Sequence, residues 1–151
     1  MKKSIFTLLL AACASIFTLT SCDKEQEPAD LLLGHWMLNN ISMTTQGMTI
    51  DMEPAQLGMW CELSFSSDGT CITNIYEDEN GESGETLKGS YDVLVGEQKT
   101  VLNLYNDGEV SALEIVLLDA SSLTLKNVVE DEGAVMESTL YFKRGRMHML
   151  E

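Results

Sequence analysis

Basic side chains are scarce in this chain. Nine Lys and Arg stand against 24 Asp and Glu, a formal net charge of −15, and Lys2 and Lys3 sit at the extreme N terminus. Nucleic acid and anionic headgroups are thereby disfavoured as partners of the folded part as a whole, since net charge repels both over a Debye length of about 8–10 Å. Histidine is scarcer still, with only His35 and His148. Neither has a nucleophile at triad-like spacing, and no Gly-x-Ser-x-Gly or Cys–His signature accompanies them. The lack of CxxC, HExxH or paired histidines removes the common zinc motifs. Gly81, Gly84 and Gly89 occur without the strand-to-helix setting of a phosphate loop. No stretch of ten residues holds a 3.6-residue apolar period, which excludes a helical architecture.

Two weak metal patterns fail on inspection. In the acidic stretch EDENGESGET, residues 77–86, Asp78, Asn80 and Gly81 occupy the places of positions 3, 5 and 6 of an EF-hand loop. Positions 1 and 12 would be Tyr76 and Leu87, which offer no carboxylate. Met147-His148-Met149 has ligand atoms suited to copper, but in a terminal tail where fraying is the default.

What the chain does have is one apolar run, Ile5 to Leu19, behind Met1-Lys2-Lys3. Its length is that of a secretory h-region, too short for a spanning helix. It ends in Leu19-Thr20-Ser21-Cys22, which resembles the lipobox of bacterial lipoproteins. That resemblance implies cleavage before Cys22 and acylation of its sulfur, palmitate-type chains giving stable anchoring at about 0.8 kcal/mol per buried methylene. The following segment, to Asp30, is charged and contains Pro28, and reads as a flexible tether. Its run Asp23-Lys24-Glu25-Gln26-Glu27 resembles the acidic export signal of surface lipoproteins of Bacteroidetes. The implied location is the outer membrane, at the cell surface rather than the periplasmic face. The expected organisation is a signal peptide over 1–21, a tether over 22–30, a folded domain over 31–144 and a tail over 145–151. Loss of Lys2 and Lys3 with the signal leaves seven basic side chains against 24 acidic ones, a charge of −17.

Of the four cysteines, Cys13 leaves with the signal and Cys22 is the lipidation site. Cys61 and Cys71 stand in the two arms of a tight hairpin. If Phe65 faces Thr70 they point to opposite faces. If a bulge makes Phe65 face Cys71, Cys61 lies roughly 13 Å along the strand from the position opposite Cys71. Both registers exceed the Cα separation of about 4.4–6.8 Å that a disulfide requires, so two free, buried thiols are expected.

From Leu31 onward short β-type segments alternate with turn signals. Strands are expected over 36–43, 60–65, 70–76, 87–95, 100–105, 110–118, 123–129 and 135–143. Eight sequential antiparallel strands are most economically arranged as an all-β, up-and-down barrel, whose closure removes exposed edges. An eight-stranded interior is either filled by side chains or holds one small ligand. Residues 44–59, with Met48, Met52 and Met59 beside Pro54, read as a lid over one mouth, with adaptable thioethers, as a poorly ordered excursion or as an extra short hairpin. Glu62 is expected to point outward between Cys61 and Leu63, and Glu114 either way.

Leu33-Gly34-His35-Trp36 opens this meander with Gly-x-Trp. It resembles the lipocalin signature, and more closely the lipocalin-like lipoproteins of Bacteroidetes, together with LSFSSDGT at 63–70, Gly89-Ser90-Tyr91-Asp92-Val93, Ser122-Leu123-Thr124-Leu125 and Leu140-Tyr141-Phe142-Lys143-Arg144. The resemblance covers nearly all of 31–144. It implies that Gly34 and Trp36 close one end of the barrel and that a basic residue, Arg144 rather than Lys143, packs across the indole. It also implies a non-catalytic binding protein with no cofactor. Its small apolar or amphipathic ligand would enter the opposite mouth, rimmed by Met48, Met52, Leu57 and Met59. The alternative is a surface module with a filled barrel that contacts a protein or glycan.

Overall fold

A computed structural model describes residues 26–147. Helix α1 (Pro28–Leu32) precedes β1 (Gly34–Thr45), β2 (Met48–Met52), a single turn α2 (Pro54–Leu57) and seven further strands. These are β3 (Trp60–Phe65), β4 (Thr70–Tyr76), β5 (Gly84–Val95), β6 (Thr100–Asn106), β7 (Glu109–Leu118), β8 (Ser122–Asp131) and β9 (Ala134–Arg144). Strands β1 and β3 to β9 pair antiparallel with their neighbours in sequence, and β1 pairs with β9 from Trp36↔Arg144 to Thr45↔Met136, which closes the barrel. The expected eight-stranded, all-β, up-and-down barrel is the fold. Cys22, the leader and His148 lie outside the described residues.

Local chemistry sets the connections. Three two-residue turns have positive φ at both positions, at Gln46-Gly47, Asp107-Gly108 and Glu132-Gly133, the mirror-image turn whose twist matches flanking strands. The β3–β4 turn is held by the Asp68 carboxylate, which accepts the Thr70 amide at 2.9 Å, and its register is the bulged one, with Phe65 opposite Cys71. Cys61, Leu63 and Phe65 therefore share the inner face with Cys71, and both cysteines are free.

Residues 44–59 take one of the forms expected of them, the extra short hairpin, and two other parts of the chain differ from expectation. Residues 44–59 contain a strand: β2 pairs with Ile41 to Thr45 of β1. It lies on the edge of β1 whose other half, Gly34 to Met37, pairs with β3, so β1 forks and β2 is a ninth, accessory strand. Pro28 to Asp30, expected within the tether, form the first turn of α1. Proline suits that first turn, and fully buried Leu32 holds the helix onto the barrel. The acidic loop is shorter than expected, 77–83, because β5 begins at Gly84.

The barrel has two unlike ends. Gly34, Phe65 and Arg144 mark one, where α1 sits and where Leu32, Trp36, Leu38, Leu102, Leu123 and Phe142 form the centre of the core. Burying side chains of this size contributes about 1.5–3 kcal/mol each. The other end carries the three two-residue turns and the acidic loop.

Candidate functional site: the open mouth of the barrel

The closed end defines the open one. Arg144 lies over the Trp36 ring, its guanidinium carbon 4.1 Å from the centroid. Nε donates to the Ala120 carbonyl at 2.6 Å, Nη1 to Leu33 at 2.7 Å and Nη2 to Leu31 at 2.6 Å. The Trp36 indole N–H donates to Leu32 O at 2.7 Å. Gly34 sits at φ +111, and a Cβ there would stand 2.9 Å from Arg144 Nη1. These residues plug the end, and no ligand can pass that way.

At the open end, cross-strand pairing places rows of side chains on the inner face of β8, β9, β1 and β2. One row is Val129, Met136, Thr45 and Met48; the next is Asn127, Ser138, Met43 and Ile50. Four apolar members of these rows are exposed despite facing inward, Met48 at 65%, Ile50 at 59%, Val129 at 43% and Met136 at 39%, while Met43 packs against the core. Further down, Ile41 and Leu125 are buried. The wall is thus dry at its base and bare at its rim.

Strands β4 to β7 make the opposite wall and contain a recess of about 290 Å³. Its floor includes Cys71, Leu87, Gly89 and Leu104; polar atoms come from Thr73, Asn106, Glu109 and Ser111. Gly89 is required there, because a Cβ would collide with the Tyr105 carbonyl. Burial pushes the Cys71 thiol up to about 11, and burial, with the neighbouring Cys71 and Glu62, pushes Cys61 up to about 12. Both thiols therefore stay protonated at neutral pH and act as apolar surface. A larger hollow of about 630 Å³ lies between the β1–β2 and β8–β9 turns. It is an external crevice between turn tips, lined by Gln46, Gly47, Glu132 and Gly133 with Thr44, Val135 and Glu137 on the outward faces of their strands.

Of the four expected rim residues, Met48 and Met52 lie on the inner face of β2 with Ile50 between them on the same face. Leu57 belongs to α2 and Met59 to the link into β3, both exposed; none of the four lines the 290 Å³ recess. The recess itself was missed from sequence, because its lining comes from four strands. The alternation Met48, Ile50, Met52 behind Gln46-Gly47 was the available signal for β2.

Other titratable groups have structural work. Glu62 does face outward, yet it is only 6% exposed. The tail covers it, Met147 N–H donating to Oε2 at 3.1 Å. His35 Nδ1 lies 2.7 Å from Ser64 Oγ and 3.3 Å from Glu62 Oε1, and Nε2 meets Arg146. Serine and carboxylate share one ring nitrogen, so the imidazole cannot relay a proton between them as a triad does. Glu114 faces outward, opposite Val101 and Lys126. Asp78 is held down to about 2 by hydrogen bonds from the Ser83 hydroxyl and the Glu82, Ser83 and Asn80 amides. Its oxygens order the loop, and among the described residues no group of three or more His, Cys, Asp or Glu is placed to hold a metal.

The strand pairing defines the class, a closed, eight-stranded, antiparallel up-and-down barrel. No family model and no curated protein matches the chain. Among solved structures it is similar to the siderocalin Ex-FABP, described as functioning through dual ligand specificities (11% identity, 76% of this chain and 74% of that one, TM-score 0.45). It is also similar to apocrustacyanin C2 (17%, 80% and 65%, 0.44) and to bovine odorant-binding protein, solved with a selenium-containing odorant (18%, 83% and 77%, 0.43). The chain thus spans just under two thirds of the crustacyanin.

Proposed function

We propose that this chain is a lipid-anchored, non-catalytic binding protein that takes a small apolar or amphipathic ligand at the open mouth of its barrel. The observation that carries the reading is the inward-facing yet exposed Met48, Ile50, Val129 and Met136, opposite a recess with an apolar floor. Exposed apolar surface costs free energy, about 25 cal/mol per Å², until something covers it. The recess is at the lower end of ligand-pocket volumes, which begin at about 300 Å³, so the ligand is small or protrudes between the two walls. Asn106, Glu109 and Ser111 at the recess suit a hydroxyl or amino group on an otherwise apolar molecule.

The lipobox-like Leu19-Thr20-Ser21-Cys22 supports acylation of Cys22 and attachment to the outer membrane, and the acidic run after it supports the cell-surface face. Palmitate labelling of the wild type and of Cys22→Ala tests the anchor; label in the wild type alone is expected. Native mass spectrometry of the protein purified from its own host tests the ligand. A co-purifying small molecule that Ile50→Asp or Leu104→Asp removes is expected. A barrel that is repeatedly empty and binds no apolar fluorophore overturns the ligand in favour of the filled surface module.

A further inference from the structure

We infer that the closed end of the barrel docks on the bilayer that carries the acyl chains of Cys22, so that the mouth points away from the membrane. The inference rests on the acylation proposed above and concerns what the folded domain does once tethered.

Three observations at the closed end point to it. The first is an apolar patch on the outer surface beside α1. A bulge between Ile115 and Leu117 of β7 turns two successive apolar residues outward, and Val116 and Leu117 are 54% and 48% exposed. With Pro28 and Leu31 of α1 they line a groove of about 190 Å³. Leu94 and Val95, at the end of β5 nearest the same helix, are exposed too. Lone exposed apolar residues need no explanation, but Pro28, Leu31, Val116 and Leu117 share one groove.

The second is covalent reach. Cys22 precedes Pro28 by six residues, a span of at most about 22 Å. The far ends of β8 and β9 stand about 25 Å farther along the barrel, for strands of this length inclined about 40°. An anchored Cys22 therefore keeps the α1 end within about 22 Å of the bilayer, less than the roughly 25 Å that a mouth-down pose needs.

The third is charge. The connections at the open end contain Glu77, Asp78, Glu79, Glu82, Asp107 and Glu132 and no lysine or arginine. Lys99, Lys143, Arg144 and Arg146 are at the closed end, where they offset Glu27, Asp30, Asp68, Glu97 and Asp119. A bilayer with anionic lipid repels the mouth and tolerates the plug. Leu94, Val95, Val116 and Leu117 then rest among the headgroups, as apolar residues of interfacial proteins do.

Quenching by brominated lipid tests this on the full acylated chain, reconstituted into vesicles of phosphatidylethanolamine and phosphatidylglycerol with brominated acyl chains. Two variants at exposed positions, Leu117→Trp and Ile50→Trp, each add one indole to the native Trp36 and Trp60. Most of the added emission of Leu117→Trp should be lost in these vesicles relative to unbrominated ones, and that of Ile50→Trp kept. Equal retention by both, or loss confined to Ile50→Trp, overturns the docking. Intact mass measured on the same samples separates the two failures: a missing acyl mass sinks the anchor and the docking with it, whereas an acylated chain with an unquenched Leu117→Trp sinks the docking alone.

Discussion

At the scale of single residues, the two thiols show most directly how burial becomes a measurable property. Cys61 and Cys71 face inward four residues apart in the hairpin register and do not pair. Their acidities are shifted up to about 12 and about 11, whereas a thiol in the unfolded chain ionises near about 8.5. The unfolded state thus releases protons first as pH rises. The stability that the neutral thiols contribute is whole below about pH 8.5 and declines as the pH climbs through 11 to 12. The denaturation midpoint of the wild type should therefore fall more steeply between pH 9 and 11 than that of Cys61→Ala/Cys71→Ala. Parallel curves would contradict burial as the source of the shift. Hairpin spacing already argued against a disulfide, because it depends only on residues within one turn of each other. The covered position of Glu62 was not legible, since it is the distant tail at Met147 that shields an outward-facing strand residue.

Elements differ in how much of the barrel depends on them. Strand β2 pairs with β1 alone, and four of its five residues are exposed, so its side chains bear on the mouth and little on stability. Ile50→Asp should leave the denaturation midpoint nearly unchanged, within about 0.5 kcal/mol, while abolishing uptake of an apolar fluorophore. Leu102→Ala, at a fully buried position of β6, should do the reverse in kind and cost about 2–5 kcal/mol. A large stability loss in Ile50→Asp would mean that β2 belongs to the core. The other strands were readable because alternation of type and Gly-containing turns agree, as at Leu63 to Thr70. Helix α1 was not, since five residues make no helix by propensity; it exists because Leu32 finds a buried seat and its carbonyl accepts the Trp36 indole.

On the scale of the whole molecule, one side chain fastens parts far apart in sequence. Arg144, at the end of the last strand, reaches the carbonyls of Leu31 and Leu33 before the first strand and of Ala120 in the β7–β8 turn. Its planar fork meets three acceptors and an indole face at once, a geometry that an ammonium cannot copy. Arg144→Ala should lower stability by about 2–4 kcal/mol, counting lost charge-assisted bonds and orphaned carbonyls. Arg144→Lys should recover little of that, as chemical denaturation would show, and full recovery would reduce the clamp to a mere positive charge. Closure was legible from eight sequential strands joined by short turns, and the plug only through the resemblance of Gly34-His35-Trp36 and the terminal Lys143-Arg144 to the lipocalin pattern. The recess was not, because Cys71, Gly89, Leu104 and Ser111 meet only after four strands have paired.

The turns at the mouth have a consequence for descent with modification. At Gly47, Gly108 and Gly133 a Cβ would meet nothing within 4 Å, so residues inserted at those tips have open space to occupy. The other end is tied to Arg144 and α1 through carbonyl contacts that tolerate no change of length. Related chains are free to lengthen, recolour or exchange one rim while inheriting the opposite one intact, and divergence in what they recognise should accumulate in those few turn residues.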